Sequence, residues 1–252
     1  MTGKMFLLVF CDVSFTFSTV TFYPHSHFSH CMEAEQAISE FERDHIVLKR
    51  EHDEASHCTR LEAAFFSPDL AEYSPQDRAL LEQSWTEFGI TFPYNNKVFK
   101  AYITITPDFP QRHPSVGVQP QIFVHPNVDF ESGSVCIAAL QDEWDPSSRL
   151  GDICDSFLPN MLLNLNVDDC QDEEKKQQFL EDPQKFFSIA EQNAELRGLS
   201  WKDFEGVHMS EQCKQRLVRV LGENDNTQQP IIKTKTANKK ARKASIPVLD
   251  LD

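Results

Sequence analysis

One cysteine in this chain stands where a nucleophile could be exposed. Cys136 lies at the end of His125-Pro126-Asn127-Val128-Asp129-Phe130-Glu131-Ser132-Gly133-Ser134-Val135-Cys136, where extended chain and a glycine-containing loop give way to helix. Only a thiolate attacks a carbonyl, so a loop position suits a reactive thiol better than an apolar helical face does. Cys154, Cys170 and Cys213 fall on or beside helical stretches without charged helpers and read as incidental thiols. A Cys–His–Asn protease would need an imidazole within hydrogen-bond reach of sulfur. His125 and Asn127 share one short turn stiffened by Pro126, and nothing in that spacing requires them to converge on Cys136. The acidic run Asp168–Glu174 reads as a helix entrance, where the dipole favours carboxylates. His25, His27, His30 and Cys31 could in principle bind a metal, but without a second ligand pair they read as a polar linker.

Composition narrows the partners. The 252 residues carry 24 Lys and Arg against 39 Asp and Glu, a net charge of −15. Phosphate binding is driven by Lys and Arg, so nucleic acid is a poor match for the folded part. No run approaches the roughly 20 apolar residues needed to cross a bilayer, so no membrane partner is expected. Seven cysteines form an odd set without a C-x-x-C pair, which favours a reduced compartment over a disulfide framework. Eight glycines without a phosphate-cradling motif count against a nucleotide fold.

The elements that must position Cys136 follow from periodicity. Residues 1–31 contain a short apolar core interrupted by Asp12 and read as a disordered or strand-like extension. From Met32 to Phe66 there is neither Gly nor Pro, and apolar residues recur at helical spacing through Ala34, Ile38 and Phe41. The spacing predicts a long amphipathic helix, broken near Ser56–Thr59, within a helical region over 32–74. Ser74-Pro75 caps a short helix over Gln76–Trp85. Strands are predicted over Phe88–Phe92, Val98–Thr106 and Gln121–Val124, with a turn at Tyr94-Asn95-Asn96. The stripe Leu150, Ile153, Phe157, Leu158, Met161, Leu162 and Leu165 predicts a helix kinked at Pro159. Asp182-Pro183 opens another helix that runs to Arg197 before Gly198, and Ser210 caps a last one to Leu221. Phe99, Tyr102, Ile103, Trp144, Leu162 and Leu163 are the expected core. The tail over 222–252 carries Lys233, Lys235, Lys239, Lys240, Arg242 and Lys243 against Glu223, Asp225, Asp250 and Asp252. It reads as a disordered tail with a basic cluster.

Taken whole, the central string resembles the active-site signature of the ubiquitin-conjugating enzymes: His-Pro-Asn, then Gly-x-Val-Cys-Ile with the cysteine nine residues after the Asn, Leu140, and Trp144-x-Pro146. Phe109-Pro110-x-x-His113-Pro114-x-Val116 is similar to that family's approach to its active-site loop. The Leu150–Leu165 helix and Asn166-Val167-Asp168-Asp169 resemble its crossover helix and acidic loop. The resemblance covers roughly Tyr94 to Arg197. It implies an α+β fold of the ubiquitin-conjugating type over residues 75–221: a small antiparallel sheet of about four strands packed against helices, with the basic tail outside it and an added N-terminal helix that either precedes the domain or substitutes for its usual first helix.

The resemblance also implies a mechanism. Cys136 would accept ubiquitin or a related modifier from an activating enzyme as a thioester, and a substrate lysine would then take it. Asn127 would supply the amide donor or hold the loop that does, and Asp169, or Asp168 beside it, would orient the lysine. His125 would be structural. No cofactor is implied, since ATP is consumed by the activating enzyme; a ligase and a protein substrate are the further partners, in cytoplasm or nucleus. Three features depart from the family pattern. The Asn127–Cys136 gap is one residue longer and holds Phe130, the Met32–Phe66 helix is acidic, and Gln111 stands where many members carry an apolar residue. They leave open a second reading, an adaptor that keeps the fold and binds modifier or partner proteins without efficient transfer.

Overall fold

The computed structural model describes residues 25–86, 91–135, 140, 144–168 and 170–223. Helix α1, His25–Asp44, inserts Ile38 and Phe41 into the core one turn apart. It stops where the His45 amide bonds the Phe41 carbonyl at 2.8 Å and the His45 ring stacks on Phe41, centroids 4.4 Å apart. Strands β1, Ile46–Asp53, and β2, Cys58–Phe66, follow as a hairpin.

This corrects the long helix over Met32–Phe66 and the helical region 32–74. The compact unit does not begin at residue 75, because half of its sheet lies before that point, and helix already starts at His25 inside the stretch read as disordered extension. The reason is local. The hairpin turn uses neither Gly nor Pro: the Asp53 carboxylate accepts from Ala55 N at 3.0 Å and Ser56 Oγ at 2.6 Å, and His57 takes the left-handed conformation, φ 54°. An Asx turn of this kind does the work of glycine without its signature. In β2 both faces are covered, so Ala63, Ala64, Phe65 and Phe66 are all buried and the alternation that marks a half-exposed strand is lost.

Strand β3, Val98–Ile105, pairs antiparallel with β2, setting Phe65 opposite Phe99. Strand β4, Ser115–Val118, pairs antiparallel with β3, setting Ile103 opposite Val116, and completes the order β1-β2-β3-β4. Between β2 and β3 lie a 3-10 turn, Leu70–Glu72, and helix α2, Pro75–Thr86. Ser74 Oγ caps α2 by accepting from Asp77 N at 3.1 Å. The Tyr94–Asn96 turn is present. Residues 87–90 of the expected Phe88–Phe92 strand lie outside the described residues, and Thr91 and Phe92 are irregular. Gln121–Val124 is not a strand either. Gln121 takes φ 60° and gives its N–H to the Phe130 carbonyl at 2.7 Å, so this segment braces the next loop while Ile122, Phe123 and Val124 fill the core.

The core sits on one face of the sheet. Phe65, Phe99 and Ile103 pack there with Leu158 and Leu162. The kink expected at Pro159 takes the form of one π-helical turn, Ile153–Phe157, leading into α3, Leu158–Leu163. A proline that cannot donate its N–H is a common cause of such a local change in helix winding. Helices α4, Glu173–Glu181, and α5, Pro183–Arg197, follow, with Asp182 capping α5. On the opposite face, Ile46, Ala64, Phe66 and Val98 are covered by Leu199, Phe204, Cys213 and Leu217, the last two from α6, Glu211–Leu221. Tyr102 is not core; it lies half-buried on that opposite face with Arg60 over its ring at 4.6 Å. Trp144 is half-buried and packs against the core.

Candidate active site

The His125-Pro126-Asn127 turn follows the buried segment 122–124, and its residues are themselves buried. His125 is inaccessible to solvent. Its Nδ1 accepts the Asn127 N–H at 3.1 Å, which places the ring proton on Nε2. Nε2 has no hydrogen-bond partner of good geometry among the described residues. Burial pushes the imidazole pKa down to about 3, an interaction with the Met161 backbone opposing the shift without outweighing it. The ring is therefore neutral at neutral pH and serves to hold the turn.

Asn127 is buried as well, and its side chain grips the far side of the site. Its Nδ2 donates to the Asn166 carbonyl at 2.7 Å, while its Oδ1 accepts the Asn166 N–H at 2.9 Å. The Asn166 Oδ1 in turn accepts the Asp168 N–H at 3.2 Å. A few residues on, the Pro126 carbonyl accepts from Gln171 N at 2.7 Å and Asp172 N at 2.9 Å. The acidic loop is thus fastened to the turn at both of its ends.

From Asn127 the chain makes a tight excursion and returns. Val128 and Val135 form an antiparallel bridge, Asp129 N donates to the Ser134 carbonyl at 2.8 Å, and Gly133 N to the Asp129 carbonyl at 2.8 Å. The Asp129 carboxylate accepts from the Ser132 amide and hydroxyl at 2.7 and 2.5 Å, which holds its pKa below the usual carboxylate value. Gly133 adopts φ +73°, and a Cβ there would meet the Val118 carbonyl oxygen at 2.0 Å. Only glycine lets this loop press so closely on β4. Trp144 ties the next segment in by donating from Nε1 to the Pro110 carbonyl at 2.8 Å.

Of the three residues singled out for catalysis, Asn127 is placed; Cys136 and Asp169 lie outside the described residues. Asp168, the neighbour considered for the same role, is exposed. The side chains of the His25–Cys31 cluster also lie outside, and among the described residues no group of His, Cys, Asp and Glu could hold a metal ion. Cys154 and Cys213 are buried free thiols, and Cys170 is half-buried. Sequence reasoning missed Asn166 and Asp172 as partners of the turn. Asn166 acts through its backbone, which leaves no residue-type signal. Asp172 carries one: an aspartate opening a Glu-Glu-Lys-Lys helix is a capping pattern.

The family model for ubiquitin-conjugating enzymes matches residues 62–194, just over half of the chain. The chain belongs to the ubiquitin-conjugating enzyme family. The ubiquitin-conjugating enzyme E2-24 kDa of Saccharomyces cerevisiae is 32% identical over 96 residues, 36% of this chain and 44% of the relative. The E2-23 kDa enzyme of Triticum aestivum is 40% identical over 76 residues, 30% of this chain and 41% of the relative. The match thus spans less than half the length of these relatives. A solved ubiquitin conjugating enzyme E2 domain from Toxoplasma gondii aligns over 69% of this chain and 97% of its own, at TM-score 0.43 and 18% identity. For this family member, the four-stranded antiparallel sheet with helices packed on it is the α+β fold that the resemblance implied.

Proposed function

We infer that the chain accepts ubiquitin or a ubiquitin-like modifier on Cys136 and passes it to a lysine amine. The Cys136 thiolate attacks the thioester carbonyl of the modifier held by the activating enzyme; a new C–S bond forms and the activating enzyme's thiol departs. A lysine amine then attacks the Cys136 thioester, forming the C–N bond as the C–S bond breaks, and the nitrogen loses its proton. ATP is spent upstream, by the activating enzyme.

The observation that carries this reading is the double fastening of the His125-Pro126-Asn127 turn to the segment 166–172. The chain enters Cys136 one peptide bond after Val135, which is bridged to Val128, the neighbour of Asn127. Consecutive Cα atoms are only ~3.8 Å apart. The segment that ends at Val135 and the segment that holds Asp168 are braced on the same turn, and Cys136 and Asp169 follow them directly in the chain. Asn127 holds that turn in place, and Asp169, with Asp168 as the alternative, orients the incoming amine. A ligase and a protein substrate complete the set of partners. The protein would act in cytoplasm, nucleus or both, the basic tail over 222–252 being a candidate nuclear-import segment.

Incubation with activating enzyme, ATP and modifier, followed by a non-reducing gel, tests this. The reading expects a thiol-sensitive adduct that disappears in Cys136→Ser and persists in Asn127→Ala. No adduct with any modifier would leave the adaptor, which keeps the fold to bind modifier or partners without transfer.

A further inference from the structure

The loop between Asn127 and Cys136 contains Phe130, and the structure shows what holds that residue. The Phe130 carbonyl accepts the Gln121 N–H at 2.7 Å. Its own N–H donates to Asp172 Oδ2 at 3.2 Å. The Phe130 ring packs against the core, with the Lys175 ammonium 4.9 Å from its centroid. The other oxygen of the same carboxylate, Oδ1, accepts the Lys175 N–H at 2.9 Å and caps α4, while the Asp172 N–H donates to Pro126 at 2.9 Å. Asp172 therefore touches the turn, the loop that leads to the cysteine and the first turn of a helix.

We propose that Asp172 is a positioning residue for the transfer step, clasping the Phe130 loop to the acidic segment so that Cys136 and the amine-orienting carboxylate stay in register. This rests on the thioester-transfer reading above. The chemistry of the clasp is specific to a carboxylate. Each of its two oxygens takes one N–H, whereas an amide has one acceptor oxygen and an NH₂ that only donates. Asparagine caps helices about as well as aspartate, so Asp172→Asn keeps the α4 cap and turns a donor against the Phe130 N–H. The loop is then freed while the helix is kept. Displacement of reacting groups by about 1 Å can cost roughly 10²-fold, so a loss of about 10–100-fold is expected in transfer.

The test uses the full chain with activating enzyme, ATP and ubiquitin, comparing wild type, Asp172→Asn and Asp172→Ala. Two rates are followed separately: formation of the thioester, and its single-turnover discharge onto free lysine over a range of lysine concentrations. For Asp172→Asn, discharge at saturating lysine should fall about 10–100-fold while charging proceeds, and the Phe130 amide should lose hydrogen-exchange protection. Asp172→Ala, which also removes the cap, should lose thermal stability in addition; if it does not fold, Asp172→Asn decides alone. Wild-type discharge by Asp172→Asn would overturn the clasp and leave the cap as the residue's whole role. Equal loss of charging and discharge would overturn it too, as a fold-wide effect. Failure of the wild type to form a thioester would overturn the transfer reading itself, and is seen in the same assay before any variant is compared.

Discussion

The side-chain amide of Asn127 is joined to the backbone of Asn166 by two hydrogen bonds, one given to the carbonyl at 2.7 Å and one taken from the N–H at 2.9 Å. The pair spans 39 residues of chain and fastens the loop before Asp168 to the turn before Cys136. In a buried setting, an unmade partner costs about 1–3 kcal/mol.

Asn127→Ala should therefore lower the unfolding free energy by about 1–3 kcal/mol, measured by denaturant titration. Asn127→Asp keeps the acceptor but sets a carboxylate against the Asn166 carbonyl, so it should cost at least as much. An alanine variant within ~0.5 kcal/mol of wild type, the range of ordinary surface changes, would show that the pair does not hold the loop.

Gly133 offers a second check, with a control inside the same chain. It shares a left-handed conformation with Gly206, φ +73° against +74°, but a Cβ at Gly133 would meet the Val118 carbonyl oxygen at 2.0 Å, whereas nothing lies within 4 Å at Gly206. Left-handed backbone alone costs a non-glycine residue about 1–3 kcal/mol. Gly206→Ala should show that cost only, and Gly133→Ala clearly more, in parallel thermal melts. Equal destabilisation would mean that the loop does not press on β4 as described.

His125 gives the fold a pH dependence of known sign. The folded pKa is pushed down to about 3 by burial, below the unfolded value of ~6.5. The unfolded chain thus binds a proton that the folded chain refuses between those values. The stability associated with the neutral ring is complete above about pH 6.5 and is lost, at about 1.4 kcal/mol per pH unit, as pH falls toward about 3. Unfolding free energies measured from pH 4 to 7 should slope upward with pH, and His125→Asn should flatten that slope by about one proton. An unchanged slope would contradict the buried neutral ring.

These particulars mark what was legible in the sequence. Helix starts and stops written in capping residues were readable, as at Ser74, Asp182-Pro183 and Ser210, because one side chain and one N–H decide them. The hairpin 46–66 was not, since its turn is made by Asp53 and a left-handed His57 rather than by glycine or proline. Gln121–Val124 has a strand's apolar pattern, but its backbone N–H at Gln121 is spent on Phe130. At the site, Asn127 could be singled out by its setting; its partner could not, because a backbone group carries no residue identity. Phe130 is visible in the sequence as a bulky loop residue, yet its contact with Asp172 spans 42 residues, and pattern alone does not reach that far.

The thiols should separate by accessibility. Cys154 is buried and burial pushes its thiol pKa up; Cys213 is buried and its Sγ lies 3.3 Å from the Asp44 carbonyl. Cys170 is half-buried, its pKa raised by the hydrogen bond to Glu173. Thiolate is the reactive form. Brief alkylation at neutral pH with peptide mass spectrometry should leave Cys154 and Cys213 unmodified until the protein is denatured. Native labelling of either would contradict their place in the core.

Intact mass spectrometry, after incubation with activating enzyme, ATP and ubiquitin, addresses the central claim most directly. A transfer enzyme gains the mass of one modifier less one water, at Cys136, and sheds it on treatment with a thiol or with free lysine; Cys136→Ala gains nothing. An adduct that survives in Cys136→Ala, or a wild-type chain whose mass does not change with any modifier, would contradict it.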